Sequence, residues 1–156
     1  MFFSKKRKLI DKQIEETKNK MQDLFIKKVK DNDNYHLLYA YTTTLEKYGY
    51  VYYSKIIAYR EDDMSLLVLD TDKDFKKVQQ VKKYKRGEFR KAGYNKSKEK
   101  YFIEKSYLKS KREEFIIIEK NYDDDDILAI INQEDELDDF LDFFLEFKRR
   151  VKNRKL

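Results

Sequence analysis

The chain is expected to fold as an α+β domain, a mainly antiparallel sheet of about six or seven strands flanked by an N-terminal and a C-terminal amphipathic helix. Three observations predict it. Apolar residues recur at helical spacing over about residues 4–30 and 134–152, and they alternate with period two in between. The connections between the first alternating runs are too short for crossovers, so those strands must be antiparallel. Finally, 13 Tyr and 11 Phe supply the surface for a core in a chain that is 42% charged. The length, 156 residues, corresponds to one domain.

The elements follow in order. Ile10, Ile14, Thr17, Met21, Leu24, Phe25 and Lys28 fall on one helical stripe, with Ser4 as the expected N-cap. The cluster Asp31-Asn32-Asp33-Asn34 stops this helix, because each side chain offers its backbone a competing turn. Tyr35 to Thr44, Tyr48 to Tyr59 and Met64 to Leu69 then form a meander, reversing at Leu45 to Lys47 and at Glu61-Asp62-Asp63. Asp72 to Tyr94 supports two readings: Phe75, Val78 and Val81 could mark a short helix, whereas Gly87 and Gly93 suit twisted strands. Tyr101 to Tyr107 and Glu114 to Lys120 read as a hairpin across Lys109-Ser110-Lys111-Arg112. Asp123 to Asp126 is a turn, and Ile127 to Ile131 a short buried strand. In the last helix Leu137, Phe140, Leu141, Phe144, Phe147 and Val151 form the apolar stripe. Acids crowd its first half, and Lys148, Arg149, Arg150 and Lys152 complement the dipole at its end. A run of short strands closed by one amphipathic helix resembles the order of elements in pleckstrin-homology-like domains, over about Tyr35 to Phe147. The resemblance implies a fold and carries no functional residue.

Charge is sorted into blocks. Lys73 to Arg112 holds 16 basic and 4 acidic residues, and Glu113 to Phe147 holds 14 acidic residues and 1 basic one. Such segregation suits a polyanion, an anionic membrane surface, a charged protein partner or a homo-oligomer. Within the basic block, Lys82, Lys83, Lys85, Arg86, Arg90 and Lys91 interleave with Tyr84, Phe89 and Tyr94. Cations neutralise phosphates and aromatic faces stack unpaired bases, so the mixture suits single-stranded nucleic acid. The competing reading is a solvated lysine-rich face. Lys outnumbers Arg 28 to 8 and Pro is absent, which points to an AT-rich genome, bacterial or phage, and dilutes the lysine signal. On the last helix, Asp138, Asp139, Asp142 and Glu146 could meet a basic protein partner, the surface of an adaptor or an immunity-type factor.

Enzymatic readings are weaker. Leu66 to Asp72 is an apolar strand ending in Asp70-Thr71-Asp72, similar to the opening of haloacid-dehalogenase-type phosphatases. That resemblance implies a Mg-dependent phosphohydrolase in which Asp70 attacks phosphorus and both carboxylates hold the metal. Three features oppose it. The acidic run at Asp123 to Asp126 precedes an apolar strand rather than following one, the preceding meander is antiparallel, and Asp72 to Asp123 is short for the βα units required. Asp70, Asp72 and Asp74 also mimic a calcium loop, but Phe75 replaces its glycine and Val81 its bidentate acid. His36, the one histidine, lies in an alternating strand. With no Cys there are no disulfides, thiolate nucleophiles or zinc–thiolate sites. No apolar run is long enough for a spanning helix, and a cytoplasmic location is expected. The expectation is a non-enzymatic binding module without cofactor or metal.

Overall fold

The computed structural model describes residues 2–105, 112–124 and 127–149. A long helix, α1 (Phe2–Lys28), leads into β1 (His36–Glu46), β2 (Gly49–Arg60), β3 (Ser65–Thr71) and β4 (Val78–Lys85). Then come β5 (Lys91–Asn95), β6 (Lys100–Glu104), β7 (Arg112–Ile117), the short pair β8 (Lys120–Asn121) and β9 (Ile131–Asn132), and α2 (Glu134–Phe147). Seven strands form one antiparallel sheet in the order β4-β3-β2-β1-β7-β6-β5. A seven-stranded antiparallel sheet with a helix at each end of the chain is the α+β arrangement expected from the sequence.

Each face of the sheet packs against one helix. On one face Leu38, Ile57, Tyr59, Val68, Ile103 and Phe115 meet Phe140, Phe143, Phe144 and Phe147 of α2. On the other, Tyr39, Ile56, Ala58, Leu67 and Leu69 meet Met21, Leu24 and Phe25 of α1. Strand alternation explains the division, since successive residues of β1 to β3 point to opposite faces and both sets are apolar. Arg60 fastens one corner: its guanidinium holds Asp31 at 3.0 Å and Asp63 at 2.8 Å and lies 4.3 Å over the Tyr35 ring.

Several boundaries differ from expectation. The first helix starts at Phe2, so Ser4 lies inside it and is not the N-cap. It ends at Lys28 rather than at residue 30, where Asn32 Nδ2 donates to the carbonyls of Val29 (2.9 Å) and Ile26 (3.3 Å). The ambiguous segment is strand, not helix: Val78 continues the sheet on β3, and Gly87 (φ +86°) allows the reversal into β5. The run 127–131 is not a strand, since Ile127 is 44% exposed and pairing begins at Ile131. On α2, Phe143 takes the buried place expected of Leu141, which is 42% exposed, and the helix stops at Phe147. The turn residues 109–111, Asp125, Asp126 and the chain from Arg150 onward, Lys152 included, lie outside the described residues.

Candidate anion-binding face

Strand β4 decides the fate of the basic tract. Its residues alternate, so Lys82 and Tyr84 stand opposite Val68 and Leu66 on the α2 side, while Lys83 and Lys85 stand opposite Leu67 and Ser65 on the α1 side. A run of cations contiguous in sequence is thereby split between two surfaces. The expected stacking role of Tyr84 does not survive this placement. Tyr84 is 5% exposed and its hydroxyl donates to Glu113 Oε1 at 3.2 Å. Burial first, and then the Glu113 charge, push its phenol well above the usual tyrosine range. Phe89 is likewise occupied, its ring packed 4.8 Å from Phe147 at the end of α2.

Lys82 belongs to a closed ring of charge. Lys55 Nζ lies 2.5 Å from Asp70 and 3.3 Å from Glu113, and Lys82 Nζ lies 2.5 Å from Glu113 and 3.3 Å from Asp70. Two ammonium and two carboxylate groups thus cancel where the sheet leaves little access to water, because Lys55 and Glu113 are nearly fully buried. Asp70, the supposed phosphohydrolase nucleophile, is committed to this ring. Asp72 is committed to a turn, its Oδ1 accepting the backbone N–H groups of Lys76 and Lys77, each at 2.8 Å. Burial opposes its charge, but these donors outweigh burial and hold the carboxyl below its ordinary range. Both carboxylates are thus engaged by groups of the chain itself.

Another group of cations from the basic block lies around the β5–β6–β7 half of the sheet. Gly93 pairs across to Phe102, and a Cβ at Gly93 would stand 2.9 Å from the Phe102 ring, so glycine lets that ring lie against the strand. The Arg112 guanidinium stacks 4.1 Å from the same ring, and Lys91 Nζ lies 5.8 Å from its centroid. Glu104 accepts from Arg90 (2.5 Å) and Arg112 (3.0 Å) and orients both forks. Lys100 lies 3.8 Å from Glu114 at the margin. No residue of β5, β6 or β7 belongs to the α1-side core, so this half of the α1 face is free of that packing. Arg86 sits in the β4–β5 connection with its Nε enclosed and without a hydrogen-bond partner among the described residues. Tyr94 is 45% exposed and its ring packs tilted on that of Tyr101, centroids 4.7 Å apart, on the α2 side.

The acids of α2 lie elsewhere. Asp138, Asp139, Asp142 and Glu146 are all exposed, and Glu146 pairs with Arg149 at 3.3 Å. Asp139 also borders a cleft of about 510 Å³ between α1 and α2, with Lys18, Phe25, His36, Tyr59 and Glu136. His36 packs on Tyr59, centroids 5.1 Å apart.

Residue patterns alone did not single out Lys55, Glu113, Phe102 or Gly93. A signal was present for two of them: Lys55 interrupts an otherwise uncharged inward run in β2, and Glu113 shares the inward face of Phe115 and Ile117. The class defined by fold and site is an α+β protein whose two-sided antiparallel sheet carries an aromatic–cation cluster on one open half. The chain matches no protein-family model, no curated protein and no solved structure.

Proposed function

We propose that the protein is a non-enzymatic binding module that holds an anionic partner, single-stranded nucleic acid in the first place, on the open β5–β6–β7 face and the adjoining β4–β5 connection. The observation that carries this reading is the Phe102 ring seated on Gly93, with Arg112 stacked on it and Lys91 beside it. Guanidinium planes and aromatic rings stack unpaired bases, and neighbouring ammonium groups neutralise phosphates. A membrane-binding loop instead presents apolar side chains among its cations, and the β5–β6 turn is Lys96-Ser97-Lys98-Glu99.

Titration of a fluorescent oligothymidylate at several salt concentrations tests this. Three or four phosphate contacts predict a slope of log affinity on log salt of about −2 to −3. Reversing Lys91, Lys96 and Lys98 to Glu should flatten it, and Phe102→Ala should weaken binding at unchanged slope. No binding at low salt, with retention on anionic vesicles, would replace nucleic acid by lipid; binding to neither sinks the reading.

A second reading has its own support. Leu141 and Leu145 are 42% and 57% exposed on α2, one turn apart among the acids. An acidic helix face with an apolar strip is the complement of a basic amphipathic protein segment.

A further inference from the structure

The fold uses only part of α1. Thr17, Met21, Leu24 and Phe25 are buried against the sheet, yet the apolar stripe continues toward the N-terminus through Ile14 and Ile10. Ile10 and Ile14 are half-buried and Leu9 is 58% exposed, and among the described residues none of the three belongs to either core cluster. Gln13 and Glu16 still border a cleft with Lys73, Asp74 and Asp124, so the overhang is the stretch before Gln13, roughly 16 Å of helix at 1.5 Å per residue. It is basic at its start: Lys5, Lys6, Arg7 and Lys8 are exposed, with Lys6 and Arg7 one turn before Ile10. An apolar stripe flanked by cations and only half covered by the described residues leaves a face for a partner.

The complementary surface is on the same chain, and among the described residues the ion pair it forms is Glu146–Arg149. The outer side of α2 offers Leu141 and Leu145 with Asp138, Asp142 and Glu146 around them, over a helix roughly 21 Å long. Among the described residues, the ion pair joining the two helices is Lys18–Glu136, at the middle of α1 and the start of α2. We infer that the basic first half of α1 docks on the acidic outer face of α2 of a second copy of this chain, and that the exchange is reciprocal. This rests on the second reading above, in which α2 receives a basic amphipathic segment. Charge complementarity selects the occupant, because the first half of α1 supplies the cations and the paired isoleucines that the aspartates and paired leucines need. Reciprocity follows from area. One helix-on-helix contact of this length covers on the order of half of the ~800 Å² per partner that a stable dimer buries, whereas two contacts about a two-fold axis reach it.

Sedimentation velocity of the full chain over a concentration series, at low and high salt, provides the test. A dimer is expected at low salt, weakening by about tenfold or more as salt rises to about 0.5 M, where screening falls well below 10 Å. K5E/K6E/R7E/K8E and D138K/D142K/E146K should each shift the chain to monomer with unchanged circular dichroism. Combining the two sets should restore the dimer, which no general loss of folding can mimic. A wild type that stays monomeric at low salt, a dimer indifferent to either set, or failure of the combination to restore it overturns the proposal. A lysine–leucine helical peptide separates this failure from that of the reading beneath it. If the monomer binds the peptide and D138K/D142K/E146K does not, α2 still takes a basic segment and only the second copy is wrong. If the peptide does not bind, both fall.

Discussion

Gln133 is a single polar residue on which the join between sheet and helix depends. It is 1% exposed, and Tyr39, whose backbone it bonds, lies one residue past the pairing of β1 with β7 at Ala40 and Tyr41. Gln133 Oε1 accepts from Tyr39 N–H at 2.8 Å, and its Nε2 donates to the carbonyls of Tyr39 (2.7 Å) and Ile118 (2.5 Å). An apolar side chain of similar volume packs as well but strands three buried polar groups. Gln133→Leu should therefore cost about 3 kcal/mol or more in urea unfolding, and Gln133→Glu should also destabilise by setting a carboxylate against two carbonyls. A loss below about 1 kcal/mol for Gln133→Leu would show that water replaces the amide. The ring of Lys55, Asp70, Lys82 and Glu113 follows the same logic at higher charge. Its members are tolerated together because each is paired twice.

At the scale of elements, the alternation of β4 converts a sequence motif into two unrelated structural roles. Lys82 is inside the charge ring, while Lys83 and Lys85 lie across the sheet from it. Lys82→Glu would place a third carboxylate against Asp70 and Glu113, and its expected cost is about 3 kcal/mol, comparable with breaking a buried pair. Lys83→Glu should change stability by well under about 1 kcal/mol, as surface substitutions do. Thermal unfolding of the two variants reads out the register directly; equal effects would mean that β4 is not paired as described. Strand and helix edges carry the other functional features in the same way. Gly93 lets Phe102 lie across it, and the packing of α1 on the sheet ends before the helix does.

Over the whole molecule, charge is neutralised unevenly. From the acidic block, Glu113 and Glu114 pair with Lys82, Lys100 and Arg112, whereas the ion pairs of α2 run to Lys18, Lys120 and Arg149. Two pH limits follow. The Arg60 hydrogen bonds hold the Asp63 carboxyl far below the usual carboxylate range, and Ser65 and the Lys83 charge add to this against burial. A depressed folded pKa contributes stability above the unfolded value near 4, and that stability is lost as pH falls through the folded one. Stability should thus decline below about pH 5, and Asp63→Asn should be weaker at neutral pH but flatter in acid. At the other limit, burial first and then Asp139 and its neighbours push Tyr59 up to about 12, and burial with Tyr94 does the same for Tyr101. Raised phenols favour the folded state up to the unfolded value near 10 and lose that advantage between there and about 12. Phenolate absorbance should therefore rise in two stages, the exposed tyrosines first and the buried ones together with unfolding. A single smooth titration of all tyrosines, with folded circular dichroism, contradicts this.

Local periodicity by itself determined the α+β class, the meander from Tyr35 to Leu69 and the two terminal helices, because burial imposes a period of 3.6 on helices and two on strands wherever apolar residues are dense. It failed where charge masks the period, as in Val78 to Lys85, whose inward face holds Lys82 and Tyr84 rather than an apolar pair. Only the tertiary structure decided which cations of the tract are spent. Lys55 and Asp70 are 15 residues apart and Lys55 and Glu113 are 58 apart, and no spacing rule connects them until the strand order β4-β3-β2-β1-β7 brings them onto one face. The same holds for the open half-sheet and for the unused stretch of α1. Both are defined by what does not cover them, a property of packing rather than of any residue's neighbours in the chain.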